Sequence, residues 1–257
     1  MKPSIEDYFK DIPIDDHPVC EDNTFLHHDL FTDMMIEAAC IIDFQKRNFY
    51  DVADHDFFLC GYPQSEVKSM GYQFFNEIIH PDDIKMWVKM HNIILKYLYN
   101  QDFESEEVRF FAFTIRIKSI FQIRNAPYYI MAEVRLRPVF VNQNLKYGIC
   151  LFSASAVETS GNLCVYYKGG EIYCEYLFDF KKWINKKMLK FSPQERVILV
   201  QTQQGLSRKN IADNLCLSDQ TIKNVITKII KDSNAKKMMQ AVNNARKHRL
   251  IYQDKNL

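Results

Sequence analysis

The 257-residue sequence has no run of the roughly 18 to 20 apolar residues that a membrane-spanning helix needs. The segment from Met1 to Asp7 also lacks the apolar stretch of a secretory signal peptide. The seven cysteines are odd in number and include no Cys-x-x-Cys pair, which fits reduced thiols better than a disulfide framework or a zinc site. We therefore expect a cytoplasmic protein that crosses no membrane.

Sequence patterns typical of catalytic or metal-binding sites are also scarce. We find no nucleophile paired with a base, no glycine-rich phosphate loop and no cluster of metal ligands, and so we expect no enzyme. An enzyme would need a polar pocket that contains carboxylates with shifted pKa values. The sequence leaves open whether the N-terminal half contains such a pocket. The pair His27-His28 comes nearest to a metal site, but neighbouring residues point apart on a helix, and Phe31 and Thr32, four residues further on, are not ligands. We predict no metal.

Charge is distributed unevenly along the chain, although the net charge is only +1. Residues 190–250 carry 12 Lys and Arg against 4 Asp and Glu, a balance of +8. Residues 1–189 carry 20 against 27, a balance of −7. Because the length suggests roughly two domains, this asymmetry indicates a basic C-terminal module joined to an acidic N-terminal one.

The basic module contains start and stop signals for successive helices. Ser192, Pro193 and Glu195 have the pattern of a capping box with proline at the first helical position, and Gly205 suits the end of that helix. Serines precede a short second helix over 208–215 and a third helix that begins after Ser218. The third helix is polar and basic on one side and has an apolar stripe of Ile222, Val225, Ile226, Ile229 and Ile230 on the other. This succession predicts a helix-turn-helix.

These residues resemble the LuxR-type helix-turn-helix of bacterial transcription regulators. The family pattern has a glutamate at the start of the first helix, then Gly-Leu-Ser, Ile-Ala-x-x-Leu and Ser-x-x-Thr-Val-Lys-Asn. This chain has Ser192–Glu195, Gly205–Ser207, Ile211–Leu215 and Ser218–Asn224, with Ile in place of Val and all internal spacings kept. The resemblance covers roughly a quarter of the chain and implies an all-α four-helix DNA-binding domain over residues 191–257.

The resemblance also implies partners and roles. The partners are double-stranded DNA, a second copy of the chain in a homodimer, and RNA polymerase. Lys223, Asn224 and Thr227 take base-contacting positions on the third helix, and Lys228 shares their predicted exposed face. Phosphate contacts are expected from four further residues, Thr221, Arg208, Lys209 and Lys231. The fourth helix, over 237–248, is expected to form a dimer surface whose apolar face consists of Met239, Ala241, Val242 and Ala245.

Several positions depart from the family pattern. Gln201 stands at a usual core leucine and Val225 at a frequent histidine. Asp232-Ser233 replaces a Lys-Leu pair, and Met238 replaces a frequent arginine. If these departures abolish DNA affinity, the chain would instead be a signalling adaptor that binds proteins through its N-terminal half. Salt-dependent binding to random duplex DNA separates the two functions.

The N-terminal half mixes helical and strand patterns. Residues 1–23 are predicted to form an irregular arm and residues 25–39 a helix. Two short strands come next, and His80-Pro81-Asp82-Asp83 then stands at the head of a helix that reaches Leu98. Three longer strand-like runs cover 108–120, 127–141 and 147–155, and the alternation in the second gives it one apolar face. An antiparallel sheet with helices on one face is expected.

This order, with Gly61-Tyr62 before the His-Pro-x-Asp motif, resembles the PAS sensor domain over residues 38–157. The resemblance implies five antiparallel strands with helices inserted after the second. The predicted fold is thus an α+β PAS-like antiparallel sheet domain followed by an all-α four-helix helix-turn-helix domain. PAS domains hold haem, flavin, small metabolites or nothing. We therefore expect the domain to bind a small-molecule ligand or to dimerise, and assign no cofactor.

Strand-rich sequence continues beyond the PAS-like pattern. A hairpin at Gly169-Gly170 would place residue 164 opposite residue 175, so that Cys164 and Cys174 face opposite sides of the sheet. The sensor domain is therefore predicted to extend over residues 24–179. Residues 180–190 are predicted to form a short linker helix before the DNA-binding domain.

Overall fold

The computed structural model describes residues 38–99, 108–123, 126–155, 157–248 and 250–251. The predicted N-terminal arm, most of the predicted helix over 25–39 and the His27-His28 pair lie outside these residues. The chain divides into two compact units, Met1–Lys186 and Lys187–Leu257. None of the helices among the described residues is long and apolar enough to cross a membrane.

The first unit is built on an eight-stranded sheet. The strands are β1 (Ala38–Asp43), β2 (Asn48–Val52), β3 (Val108–Ile123), β4 (Ala126–Val141), β5 (Asn144–Ala154), β6 (Gly161–Tyr167), β7 (Ile172–Leu177) and β8 (Lys182–Lys187). Their order in the sheet is β2-β1-β5-β4-β3-β6-β7-β8. The first five strands form the antiparallel sheet expected of a PAS-like domain, and β6 to β8 extend it. Cys164 lies opposite Glu175, which confirms the predicted register of the hairpin.

Helices fill the connection between β2 and β3, as the PAS-like pattern predicted. They are α1 (Asp56–Leu59), α2 (Gln64–Met70), α3 (Phe74–Ile78) and α4 (Ile84–Tyr99), with 3-10 turns at Gly71–Gln73 and Pro81–Asp83. The core between them and the sheet is aromatic: Phe58, Phe74 and Phe111 are fully buried. Burial of side chains of this size supplies most of the driving force for folding.

The His-Pro-Asp-Asp segment ties the start of α4 to β3. Asp83 is buried, and its carboxylate accepts hydrogen bonds from the backbone and guanidinium of Arg116 and from the hydroxyl of Ser160. Burial alone would raise the pKa of Asp83, but these hydrogen bonds outweigh it and hold the pKa below its ordinary value. The motif therefore has a structural role in this fold.

The linker helix predicted over residues 180–190 is wrong, because Lys182–Lys187 forms β8 at the edge of the sheet. The ring centroid of Trp183 in β8 lies 5.2 Å from that of Tyr97 and 5.1 Å from that of Tyr176. Lysines are common on edge strands because their charge discourages pairing with another chain. A Lys-rich composition thus fits an edge strand as well as a helix, and the sheet continues beyond residue 179.

The second unit contains four helices among the described residues. They are α5 (Pro193–Gln203), α6 (Arg208–Asn214), α7 (Asp219–Asp232) and α8 (Met238–Lys247). They enclose a separate small core, in which Ile198, Leu199, Ile222 and Ile229 have no exposed surface. The predicted all-α four-helix domain is therefore confirmed.

Candidate nucleic-acid interface

The start of α5 is fixed by the predicted capping box. The hydroxyl of Ser192 accepts a hydrogen bond from the backbone N–H of Glu195 at 3.3 Å, and the Glu195 carboxylate accepts one from the backbone N–H of Ser192 at 2.8 Å. Pro193 occupies the first helical position. The backbone N–H groups of Ser192 and Glu195 have no partner within the helix, and these two side chains accept their hydrogen bonds. Local sequence therefore determines where this helix begins.

Two further serines position the helix-turn-helix itself. The Ser207 hydroxyl accepts from Asn210 N at the start of α6, and the Ser218 hydroxyl accepts from Thr221 N at the start of α7. Between the helices, Cys216 takes a left-handed backbone conformation with φ of 52°. This tight turn brings the N-terminus of α7 close to that of α6.

A salt bridge joins the two N-termini directly. Nε of Arg208 lies 2.7 Å from Oδ1 of Asp219, and both side chains are about half exposed. Arg208, one of the expected phosphate contacts, is thus engaged within the domain. A guanidinium has five N–H donors, so the same side chain retains donors for a second partner.

The exposed side of α7 carries the residues predicted to contact bases. Lys223, Asn224 and Thr227 are all exposed, as are Thr221 and Lys231. The amide of Gln220 donates to Oδ1 of Asn224 at 2.9 Å, and the Thr227 hydroxyl donates to the backbone carbonyl of Lys223 at 2.9 Å. Within the described part of the chain, neither Lys223 nor Lys231 has an ion-pair partner. Their charges are available to an anionic surface.

Lys228 differs from the other residues of the predicted face. Its ammonium lies 2.7 Å from Oε1 of Glu195 and 4.0 Å from Oδ2 of Asp232. The hydrogen bond with Glu195 raises the pKa of Lys228. Burial tends to raise the pKa of Glu195, yet the bonds from Lys228 and Ser192 lower it overall. The structure therefore places Lys228 at the edge of the exposed face, where it ties α7 to the capping box of α5.

Gln220 is a further exposed polar residue beside the predicted base-contacting positions. It lies on the exposed side of α7, one turn before Asn224 and hydrogen-bonded to it. The N-terminal residues of a recognition helix approach the base edges most closely. Counting back one turn from Asn224 toward the Ser218 cap would have identified it from the sequence.

The departures from the family pattern have local structural effects. Oε1 of Gln201 is buried and accepts no hydrogen bond from the described residues. Val225 and Met238 pack against the small core. Ser233 is buried, and its hydroxyl donates to the Ile229 carbonyl at 2.7 Å. These substitutions affect the interior and the helix ends, and none of them covers the exposed face of α7.

The dimer surface predicted on the fourth helix is wrong in its residues. Ala241, Val242 and Ala245 of α8 have no exposed surface, because they pack into the core of their own domain. Met239 alone of the predicted face is exposed, at 54%. Helical spacing identified three residues of an apolar face, Ala241, Val242 and Ala245, but a small four-helix domain needs that face for its own core.

Together, the capped helices, the short turn and the exposed polar and basic face of α7 define a helix-turn-helix DNA-binding domain. Residues 189–245 match the family model described as GerE, bacterial regulatory proteins of the luxR family. The C-terminal domain is therefore a LuxR-type helix-turn-helix, and the chain is a DNA-binding transcriptional regulator. No curated protein matches the chain.

Solved structures with similarity along most of the chain include those of VqmA. A structure of the Vibrio cholerae VqmA dimer in the absence of target DNA is 13% identical, with 86% of each chain covered and a TM-score of 0.32. A Vibrio cholerae VqmA–ligand–DNA complex is 12% identical, with 85% of this chain and 86% of that chain covered and a TM-score of 0.33. Similarity at this level is too weak to transfer a ligand or a residue role.

Proposed function

We propose that this regulator reads duplex DNA by inserting α7 into the major groove. Lys223, Asn224 and Thr227 contact base edges, where an asparagine amide can donate to and accept from adenine. The observation that carries the proposal is the set of exposed polar side chains on one side of α7, opposite the buried Ile222 and Ile229. This interface supports a function in the regulation of transcription, and it requires no catalysis. Such a protein acts in the cytoplasm, where bacterial DNA lies.

The phosphate contacts surround this face. Lys209 and Arg208 are exposed at the start of α6, Thr221 is exposed in the first turn of α7, and Lys231 is exposed in its last turn. Backbone N–H groups and the helix dipole favour a phosphate near Thr221. Lys228 contributes by holding α7 against the Glu195 capping box, and reaches DNA only if that pair opens.

We further propose that the chain binds DNA as a homodimer. A single helix-turn-helix reads only a few base pairs, and two-fold proteins of this type read paired half-sites about one helical turn apart, roughly 34 to 36 Å. A nuclease footprint on a selected operator should therefore show two protected segments at this spacing. A footprint of one half-site with one bound protomer would contradict the dimer. RNA polymerase is then the protein partner through which a bound regulator acts.

The test is the salt dependence of binding to random duplex DNA, measured by fluorescence anisotropy with the full chain. Affinity should fall steeply with salt, because each phosphate neutralised adds about −0.9 to the slope of log affinity against log salt. Lys231→Ala and Lys209→Ala should each make the slope shallower by about one per protomer. Lys168→Ala, which removes an exposed charge from the turn between β6 and β7, is the matched control and should leave the slope unchanged.

Two outcomes would contradict the proposal. Undetectable binding at low salt by the folded wild-type chain would favour the signalling adaptor instead. An equal loss of slope in Lys168→Ala would show that the measured affinity reflects overall charge rather than the helix-turn-helix.

A further inference from the structure

Two amide side chains stand one helical turn apart on the exposed face of α7. Gln220 and Asn224 are both exposed, and Nε2 of Gln220 donates a hydrogen bond to Oδ1 of Asn224 at 2.9 Å. Residues four positions apart are neighbours on the surface of a helix, so this contact follows from their spacing. The two side chains therefore form a linked pair before any DNA is bound.

This bond determines which way the Asn224 amide points. An amide carries an oxygen that accepts hydrogen bonds and a nitrogen that donates two, and a half-turn about its last side-chain bond exchanges them. Nε2 of Gln220 needs an acceptor, so it keeps Oδ1 on the Gln220 side of Asn224 and Nδ2 on the other side. Nδ2 has no hydrogen-bond partner among the residues that the structure describes. A second lone pair of Oδ1 and both Nδ2 hydrogens thus remain for a ligand.

The two other predicted base contacts do not offer a donor and an acceptor together in this arrangement. The Lys223 ammonium has donors and no acceptor. The Thr227 hydroxyl donates to the backbone carbonyl of Lys223 at 2.9 Å, so its hydrogen is already used and its lone pairs remain. Asn224 is therefore the residue of the three that presents a donor and an acceptor side by side.

A donor beside an acceptor matches the edge of adenine. In the major groove, adenine presents the acceptor N7 and the donor N6, whereas guanine presents two acceptors, N7 and O6. With its amide held in one orientation, Asn224 donates to N7 through Nδ2 and accepts from N6 through Oδ1. Opposite guanine, the same Oδ1 would meet the O6 acceptor and gain no hydrogen bond. A reversed amide would place Oδ1 against N7 and lose the pairing with adenine.

The bond from Gln220 becomes more important at a DNA interface. On the free protein it competes with hydrogen bonds to water, because both side chains are exposed. Bound DNA excludes that water, and a hydrogen bond within a network is stronger where the local dielectric is low. An amide that is already oriented also loses less conformational entropy on binding.

We propose that Gln220 is a positioning residue that gives Asn224 its preference for adenine. Gln220 acts through the Asn224 amide and needs no base contact of its own. The proposal rests on the proposed function, because it requires α7 to read bases through Asn224. It adds the base that is read and the residue that orients the Asn224 amide.

The test compares base preferences on a selected operator, measured by fluorescence anisotropy with the full chain. The base pair read by Asn224 is located as the position where Asn224→Ala loses its preference, and it is then changed to each other pair. Wild type should prefer adenine there. Gln220→Met keeps the length of the side chain but has no donor. It should reduce the preference about tenfold, at nearly unchanged binding of random duplex DNA.

Two further variants control this result. Gln220→Lys restores a donor, so it should keep the adenine preference while its charge tightens binding to all sequences. Gln240→Met makes the same change as Gln220→Met at an exposed glutamine on α8, and it should alter neither preference nor affinity. Melting temperatures show whether each variant is folded. If Gln220→Met does not fold, the same measurements on Gln220→Ala decide.

A double-mutant cycle separates positioning from direct contact. If Gln220 acts through Asn224, Gln220→Met combined with Asn224→Ala should bind the operator no more weakly than Asn224→Ala alone. The proposal is overturned if the preferred base is not adenine, if folded Gln220→Met keeps the preference, or if the two losses multiply. Unchanged operator binding by Asn224→Ala would contradict the proposed function as well. A loss in Asn224→Ala without a loss in Gln220→Met would contradict only the role of Gln220.

Discussion

The two units of this chain are specified by interactions of different range. In the second unit, each of α5, α6 and α7 starts at a serine whose hydroxyl accepts a hydrogen bond from a backbone N–H three residues later. In the first unit, β1 pairs with β5, so that Ala38 lies opposite Phe152, more than a hundred residues away. Local signals therefore position the exposed face of α7, whereas the sheet depends on contacts distant in sequence.

The largest expected effect tests whether the two units are independent. Phe111→Ala removes a fully buried ring from the first core and should cost about 3 to 5 kcal/mol of its stability. Ile229→Ala does the same in the second core and should cost about 2 to 5 kcal/mol. Both tryptophans, Trp87 and Trp183, belong to the first unit, so their fluorescence follows its unfolding alone.

Chemical denaturation monitored by tryptophan fluorescence should therefore respond to Phe111→Ala and not to Ile229→Ala. Binding of random duplex DNA should be weakened by Ile229→Ala. It should be kept by Phe111→Ala, even at a temperature where the first unit of that variant has unfolded. A shift of the fluorescence transition by Ile229→Ala as large as that by Phe111→Ala would mean that the two cores unfold as one.

Acid should lower the stability of the first unit more than that of the second, and this effect is smaller than that of the core substitutions. His91 has its pKa lowered from 6.5 to about 4 by burial, so between these values the unfolded chain binds more protons than the native one. Stability of the first unit therefore rises with pH across this window, and it should be roughly 2 kcal/mol lower at pH 5 than at pH 7.5. Glu195 in the second unit has a lowered pKa. The stability that its ionised carboxylate contributes to the second unit is therefore lost only when the pH falls below the ordinary range of a glutamate pKa.

Urea unfolding followed by tryptophan fluorescence at the two pH values measures this loss. His91→Leu, which has no titrating group, should remove most of the difference. A difference of the same size in His91→Leu would assign the acid sensitivity to other groups.

The smallest effect is a gain of stability in the second unit. Gln201→Leu removes the buried Oε1 that lacks a hydrogen-bond donor among the described residues, and should stabilise the domain by about 1 kcal/mol. Gln240→Leu is the matched control, because Oε1 of Gln240 accepts a bond from Lys236 N at 2.7 Å, and this change should give no gain. Unfolding of the helices followed by circular dichroism provides the measurement. A loss of stability in Gln201→Leu would show that the amide is satisfied in solution.

Much of the fold follows from short-range patterns. The capping box at Ser192, the turn before Ser218 and the apolar stripe of α7 could all be predicted because each depends on residues within a turn or two of helix. Alternation along β4 likewise predicted its buried side, where Ala132, Val134 and Leu136 have almost no exposed surface.

The errors arise where tertiary contacts override a local pattern. Residues 180–190 have a composition that suits either a helix or an edge strand, and packing of Trp183 on Tyr97 selects the strand. The apolar face of α8 was identified, but whether it meets a partner or its own domain depends on the neighbouring helices. Lys228 shares the polar side of α7 in projection, and only the position of Glu195 on α5 shows that it is paired.

If the exposed face of α7 reads base sequence, Asn224 should contribute to the binding of one DNA sequence and not to the binding of random DNA. After selection of a preferred operator, binding of the full chain is measured on that site and on random duplex DNA. Asn224→Ala should lose about 1 to 3 kcal/mol on the operator and leave random binding nearly unchanged. Asn243→Ala, an exposed amide on α8, should change neither. Equal losses on both DNAs, or no loss on the operator at an unchanged melting temperature, would mean that α7 does not read base sequence through Asn224.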